Sequence, residues 1–361
     1  MKPDVLRKIT ALTLMPGMGA MSFKKLYEAA GSLDGIFTLE PRVLTGIPRL
    51  AKTVPPALTD KKYLKLADVE IEKARKGGAR LLTVLDDDYP ALLKAIPDPP
   101  AILYVKGALP SDDTLTAGIV GSRIASLYGT KMAGTIARDL AAAGVAVISG
   151  LAKGIDGAAH EGALEARGVT VGVLGGGLNR IYPPENEALA ARMTESGAVI
   201  SEFPMDWPSL PENFPLRNRI ISGLSRGVLV VEAKEKSGAL ITVDAALEQG
   251  REVWAVPGNA DSLRSAGTNK ILKQGAKLVT SAADILDELG AAKAQVSRQK
   301  AELGATADEK QILAAVESEA VHIDTVLERS GMPAQKGIST LQMLVLKGVL
   351  KEMPGKHYRR S

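Results

Sequence analysis

A chain of 361 residues exceeds what one hydrophobic core ordinarily holds, so two or three domains are expected. Hydrophobic residues at 45% and charged residues at 24% suit a folded globular protein, and zero cysteines exclude disulfides, thiolate nucleophiles and cysteine-held metals. The formal net charge of +4 permits a nucleic-acid partner without demonstrating one, and every apolar run is broken well short of the ~18 residues that span a bilayer.

Residues 1–75 read as a helical domain. Pro16-Gly-Met-Gly19 and Leu44-Thr-Gly-Ile-Pro48 each resemble the turn of a helix–hairpin–helix, which can present amides to phosphate or serve only for packing. Met1-Lys-Pro-Asp4 opens a mixed stretch unlike an export signal, so a cytoplasmic protein without membrane contact is expected.

From 76 to 290, short β-rich runs alternate with Ala-rich helical runs, the pattern of a parallel sheet with crossover helices. Strands are predicted at 116–120, 145–149, 170–174, 198–201, 228–232 and 252–256, with earlier runs at 80–85 and 102–105 extending the sheet. Helices are predicted at 127–143, 155–167, 186–196 and 240–249. The fold class is therefore α/β, an extended Rossmann-like parallel sheet.

Residues 291–307, rich in Ala, Lys, Gln and Glu, read as a linker. Amphipathic helices at 308–316, 322–329 and 336–347, then a hairpin at 348–360 carrying Lys351, Lys356, Arg359 and Arg360, give residues 308–361 a winged-helix pattern. The recognition-helix position is rich in Leu and Met, poor in side chains that read base edges.

All parallel strands of such a sheet end on one edge, so their loops converge there. These loops are Gly121-Ser122-Arg123, Ser149-Gly150 with Lys153 and Asp156, Gly175-Gly176-Gly-Leu-Asn179, Ser201-Glu202, Ser237-Gly238 and Pro257-Gly258. Glycine admits a phosphate close to the backbone, or it merely permits a tight turn. Arg123 adds a forked donor matched to phosphate. Neither GxGxxG nor GxxxxGK followed by Ser or Thr occurs, which argues against classical dinucleotide and P-loop nucleotide binding.

Phe203, Trp207 and Phe214 fall beside this rim although the chain holds only four Phe and two Trp. Aromatics next to a basic groove hold unpaired bases, yet Trp207 and Phe214 read equally as buried plugs. Arg217, Asn218 and Arg219 precede an apolar helical run at Ile220, Ile221 and Leu224. One arginine is expected to meet a ligand and the other to pair with Glu202, Asp156 or Glu232. His160 sits among alanines and reads as a packing residue, and a relay drawn through Ser149, His160 and Glu202 has no support without geometry. His322 and His357 stand too far off in sequence to suggest a metal site with it, so no cofactor or metal is expected.

These residues resemble the DNA-processing protein A (DprA, also called Smf) family. The resemblance rests on Ile119-Val-Gly-Ser-Arg123, Ser149-Gly-Leu-Ala-Lys-Gly-Ile-Asp156, Leu174-Gly-Gly-Gly-Leu178, Tyr182-Pro183 with Asn186, Phe214-Pro-Leu-Arg-Asn-Arg-Ile-Ile-Ser-Gly-Leu-Ser225, Ser237-Gly238 and Ala255-Val-Pro-Gly258. It implies a sterile-alpha-motif-like N-terminal domain and a C-terminal winged-helix domain. It implies a homodimeric, non-enzymatic mediator that binds and protects single-stranded DNA in natural transformation and helps load the RecA recombinase. The family's pocket arginine falls on Arg123. Several members carry a second basic contact in the tyrosine–proline segment, but Tyr182-Pro-Pro-Glu-Asn186 has no lysine, which leaves Arg180 or Lys153 as substitutes. The competing reading is a nucleotide-processing enzyme of the phosphoribohydrolase type, whose PGGxGTxxE signature is missing here.

Overall fold

A computed structural model describes residues 3–47, 50, 52–58, 60–290, 306–316, 320–346 and 349–360. Met1–Ile285 forms one compact unit and Leu286–Ser361 a second.

The first unit opens with α1 (Pro3–Thr13), α2 (Ala20–Ala30), α3 (Leu33–Ile36), α4 (Pro41–Gly46), α5 (Val54–Leu58) and α6 (Lys62–Lys76). Gly17, at φ 83°, makes the turn between α1 and α2. The second expected turn ends on Pro48, outside the described residues. Ile9, Leu12, Leu26 and Ile36 from these helices share a core with Tyr104, Leu174 and Met205 of the sheet region. Glu70 on α6 ties the two parts, its Oε1 accepting from the Met205 amide at 2.7 Å.

The sheet has strands β1 (Arg80–Thr83), β2 (Ile102–Gly107), β3 (Thr116–Val120), β4 (Ala146–Ser149), β5 (Thr170–Val173), β6 (Ala198–Ser201), β7 (Gly227–Val230), β8 (Glu252–Ala255) and β9 (Lys277–Leu278). Their spatial order is β1-β2-β6-β5-β4-β3-β7-β8-β9. Pairing is parallel from β6 through β9, while β1 and β2 join antiparallel. Of the two early strands, β2 therefore runs against the parallel set, and β1, reversed once more, runs with it. Strands β3 to β7 are buried at every residue, which accounts for their unbroken apolar character.

Helices α7 (Ala91–Lys94), α8 (Leu127–Ala142), α9 (Ile155–Glu165), α10 (Glu187–Ser196), α11 (Asn213–Gly223), α12 (Gly238–Glu248), α13 (Ala266–Lys273) and α14 (Ala282–Glu288) complete the element list. Ser126 caps α8, its Oγ accepting from the Gly129 amide at 3.0 Å. The expected boundaries hold to within two residues at most ends. One differs in substance: α11 begins at Asn213, so Arg217 and Arg219 lie inside the helix rather than ahead of it. Pro215 sits in its first turn, where a missing amide costs nothing, which is why a Phe-Pro-Leu run does not stop the helix.

The chain builds β3, β4, β5 and β6 outward in one direction, then returns to lay β7, β8 and β9 on the other side of β3. The order reverses between β3 and β7. Crossovers there leave in opposite directions and open a crevice beyond the C-terminal strand ends.

In the second unit, helices Ala307–Ala315, Ile323–Ser330 and Ala334–Leu346 pack with a three-stranded sheet in the order β10 (Val321–His322), β12 (His357–Arg360), β11 (Leu350–Met353). Thr306 and Glu309 close a capping box on the first of these helices. This is the winged helix that the pattern predicts, with β11 and β12 as the hairpin. Most of the proposed linker lies outside the described residues. Among the described residues, no helix is long and apolar enough to cross a membrane.

Candidate nucleic-acid interface

A cavity of about 390 Å³ occupies the switch-point crevice. Gly121, Ser122, Arg123 and Ile124 enter it from the loop after β3. Lys234, Lys236, Ser237 and Gly238 enter from the loop after β7, while Phe214, Arg217 and Asn218 come from α11. A smaller cavity of about 60 Å³ adjoins it, lined by Arg123, Gly150, Lys153, Gly175, Tyr182, Phe214 and Arg217 among others. Gly121, Ser122, Arg123, Gly150, Gly175, Phe214, Arg217, Asn218, Ser237 and Gly238, all singled out in the sequence, thus line these two adjoining cavities, together with Lys153.

Arg123 is exposed and bonds to no carboxylate among the described residues. Its guanidinium carbon lies 4.4 Å from the centre of the Phe214 ring, a contact that orients the fork without neutralising it. Phe214 is half-buried, with the Tyr182 ring 6.0 Å away at a 40° tilt. Trp207 is 45% exposed and stacks on Phe203 at 6.4 Å. Neither Phe214 nor Trp207 is a buried plug, and only Phe214 lines the cavity.

Arg217 plays a different part. It is 3% exposed, and its Nη1 donates to the Gly150 carbonyl at 2.6 Å and to that of Val173. It pins the loops after β4 and β5 together. Burial pushes its pKa down to about 10, opposed by buried Asp156, so it keeps its charge at neutral pH. Asp156 in turn accepts from the Gly150 amide at 3.1 Å; burial raises its carboxyl pKa, opposed by Arg217. Arg219 pairs with Glu202 and, at 3.3 Å, with Asp98, and it opens onto a separate groove with Asp244 and Glu248. The expected division of labour between these two arginines is therefore not found. Both hold the fold.

Several other expected site residues also have structural partners. Ser149 is fully buried, its Oγ donating to the Ile119 carbonyl at 2.6 Å. Asn186 donates from Nδ2 to the carbonyls of Leu151 at 2.9 Å and Ala152 at 3.3 Å. Lys153 pairs with Glu185 at 2.6 Å. Gly176 and Arg180 line neither cavity, and the charge of Arg180 acts on Asp206. Ser237 caps α12, its Oγ accepting from the Ala239 amide at 3.3 Å, and Asn218 donates to the Gly238 carbonyl at 3.3 Å.

The rim glycines correct a sequence expectation. A Cβ on Gly121 would stand 2.6 Å from Ile155, on Gly150 2.4 Å from the Arg217 guanidinium, on Gly175 2.9 Å from Phe214 and on Gly176 2.4 Å from Ser209. At these positions a side chain is excluded by the packing of one loop on another. Gly238 differs, with nothing within 4 Å of its Cβ position. Its backbone at the start of α12 is the one open to close approach.

His160 is fully buried against Thr170, 2.7 Å from Nδ1 to Oγ1. The Thr170 hydroxyl donates onward to the Val147 carbonyl, so Nδ1 must be the donor to Oγ1. Burial pushes its pKa down to about 3. Packing, not proton transfer, is its part. Sequence reading missed Lys234, Lys236 and Arg264 on the cavity wall, because nothing in a loop sequence says which lysines turn inward.

Residues 80–290 match the family model described as DNA recombination-mediator protein A, and residues 296–356 match that of the DprA winged helix domain. The chain belongs to the DNA recombination-mediator protein A family. It is 43% identical over 279 residues to protein Smf of Escherichia coli, covering 75% of each chain. It is 44% identical over 232 residues to DNA processing protein DprA of Bacillus subtilis, covering 63% of this chain and 76% of that one. The solved structure of DNA processing protein A from Streptococcus pneumoniae aligns with TM-score 0.66 at 35% identity, over 79% of this chain and 96% of that one. A structure of the Helicobacter pylori protein, described for its single-stranded DNA binding mode, aligns with TM-score 0.53 at 29% identity over 58% and 95%. Family membership and the mostly parallel Rossmann-like sheet with its winged helix stand on these matches.

Proposed function

We propose that this protein holds single-stranded DNA in the switch-point cavity through its phosphates, and that it presents the strand to the RecA recombinase. The observation that carries this reading is Arg123: a guanidinium without a carboxylate partner among the described residues, held over an aromatic ring and lining a cavity with further cations. The Helicobacter relative's single-strand binding supports the choice of ligand. The protein works as a cytoplasmic homodimer and catalyses no reaction of its own.

The test is a titration of the purified protein with single- and double-stranded oligonucleotides at several salt concentrations. Single strands should bind more tightly, with log affinity falling against log salt by about 0.7 for each phosphate neutralised. Equal affinity for both forms, or binding indifferent to salt, contradicts the reading. Recombinase loading is read separately, as faster filament assembly on a strand precoated with single-strand binding protein. Sedimentation of the free protein reads the homodimer. Release of free base from nucleoside monophosphates would instead establish the phosphoribohydrolase alternative.

A further inference from the structure

The cavity between β3 and β7 has a second basic wall. Lys234 and Lys236 stand in the turn that closes from Lys234 to Ser237, where the Ser237 amide donates to the Lys234 carbonyl at 3.1 Å. Arg264 arrives from the loop after β8. The two segments meet through Gly267, whose amide donates to the Ala233 carbonyl at 2.8 Å. A Cβ on Gly267 would stand 2.5 Å from the Lys234 carbonyl oxygen, so the first turn of α13 can lie on this loop only without a side chain there.

Lys234, Lys236 and Arg264 are exposed and line the same cavity, and none forms an ion pair among the described residues. Like charges gathered on one wall repel one another unless an anion joins them. Asp156 is the one acid lining the cavity, and it is buried with its carboxylate turned to the Gly150 amide. Beside the cations, Gly238 leaves the backbone at the start of α12 open, where the helix dipole favours an anion. Lys153, in contrast, is already paired with Glu185. The same cavity is also lined by Ile124, Phe214, Pro215 and Ile241, apolar surface suited to a base.

We propose that Lys234, Lys236 and Arg264 are the second phosphate anchor of this protein. One nucleotide lies across the cavity with its base on the apolar strip, one flanking phosphate at Arg123 and the next at the lysine wall. The inference rests on the single-strand reading above and adds the path of the strand.

The test compares four proteins binding a fluorescent oligothymidylate over a range of salt: the parent, Arg123→Ala, Lys153→Ala, and a triple variant with Lys234→Ala, Lys236→Ala and Arg264→Ala. The triple variant should bind at least about tenfold more weakly at moderate salt. Its salt slope should be shallower by about 0.7 to 1.4, one or two phosphates' worth. Lys153→Ala should follow the parent. Because the three side chains are exposed, the triple variant should melt with the parent, and a version with Lys234→Arg and Lys236→Arg should restore binding. A triple variant with parental affinity and slope, beside a weakened Arg123→Ala, overturns the second anchor and leaves the single-strand reading standing. Loss of a phosphate's slope in Lys153→Ala but not in the triple variant places the anchor at Lys153 instead. A parent that does not bind the strand overturns both.

Discussion

Arg123 and Arg217 approach the same aromatic ring, their guanidinium carbons 4.4 and 6.0 Å from the centre of Phe214, yet one is exposed and the other buried. Among the described residues the exposed one has only the ring as its partner, whereas the buried one bonds to two carbonyls. On the proposed reading, function and fold are divided between two arginines of one cavity. Arg217→Ala should cost about 3 kcal/mol or more of stability, because it strands two buried carbonyls and leaves Asp156 without its compensating charge. Arg123→Ala should change stability by less than about 1 kcal/mol. Chemical denaturation of the two variants checks this, and similar losses in both would contradict the division.

The rim glycines divide in the same way. Gly150→Ala drives a methyl into the Arg217 guanidinium and should destabilise by about 1–3 kcal/mol. Gly238→Ala meets open space and should stay within about 0.5 kcal/mol of the parent. Its effect should appear in strand affinity. Thermal melts of the pair separate packing glycines from an approachable one.

His160 makes a prediction about acid. Its folded pKa of about 3 lies below the ordinary value of 6.5, so between these the unfolded chain takes up a proton that the folded one refuses. The stability it contributes is complete above about pH 6.5 and falls by up to about 1.4 kcal/mol per pH unit as the pH drops toward 3. NMR of the imidazole carbons should show one ring still neutral at pH 5. Titration of all three histidines near their ordinary value would contradict its burial.

Much of this architecture was legible in sequence because buried parallel strands are apolar throughout. The segments at 116–120 and 198–201 match β3 and β6 residue for residue. β9, with two exposed residues, carries no such signal. The site was legible as a set of loops but not as a set of roles. Glycine permits a phosphate and a neighbouring loop equally, and only the position of Ile155, Phe214 or Ser209 decides between them. Lys153 reads as a ligand candidate, and Arg219 as either ligand or ion-pair partner, until the carboxylates of Glu185 and Glu202 are in place. The lysine wall depends on a contact across the fold at Gly267, which no local pattern encodes.

The cavity is built wholly from residues of the first compact unit. Removing residues 300–361 should therefore leave single-strand affinity within about twofold, since no cavity-lining residue is lost. A shift assay on the truncated chain checks it, and a larger loss would assign the winged helix a direct part in holding the strand.

The most direct measurement is the affinity of Arg123→Ala for a single-stranded oligonucleotide at moderate salt, beside the parent and with both proteins shown to melt alike. Loss of a charge-assisted, bidentate phosphate contact should weaken binding by roughly 1.5–3 kcal/mol, about ten- to a hundredfold, and flatten the salt slope by about 0.7. An Arg123→Ala protein that binds as tightly as the parent, with the same salt slope, would contradict the assignment of this cavity to single-stranded DNA.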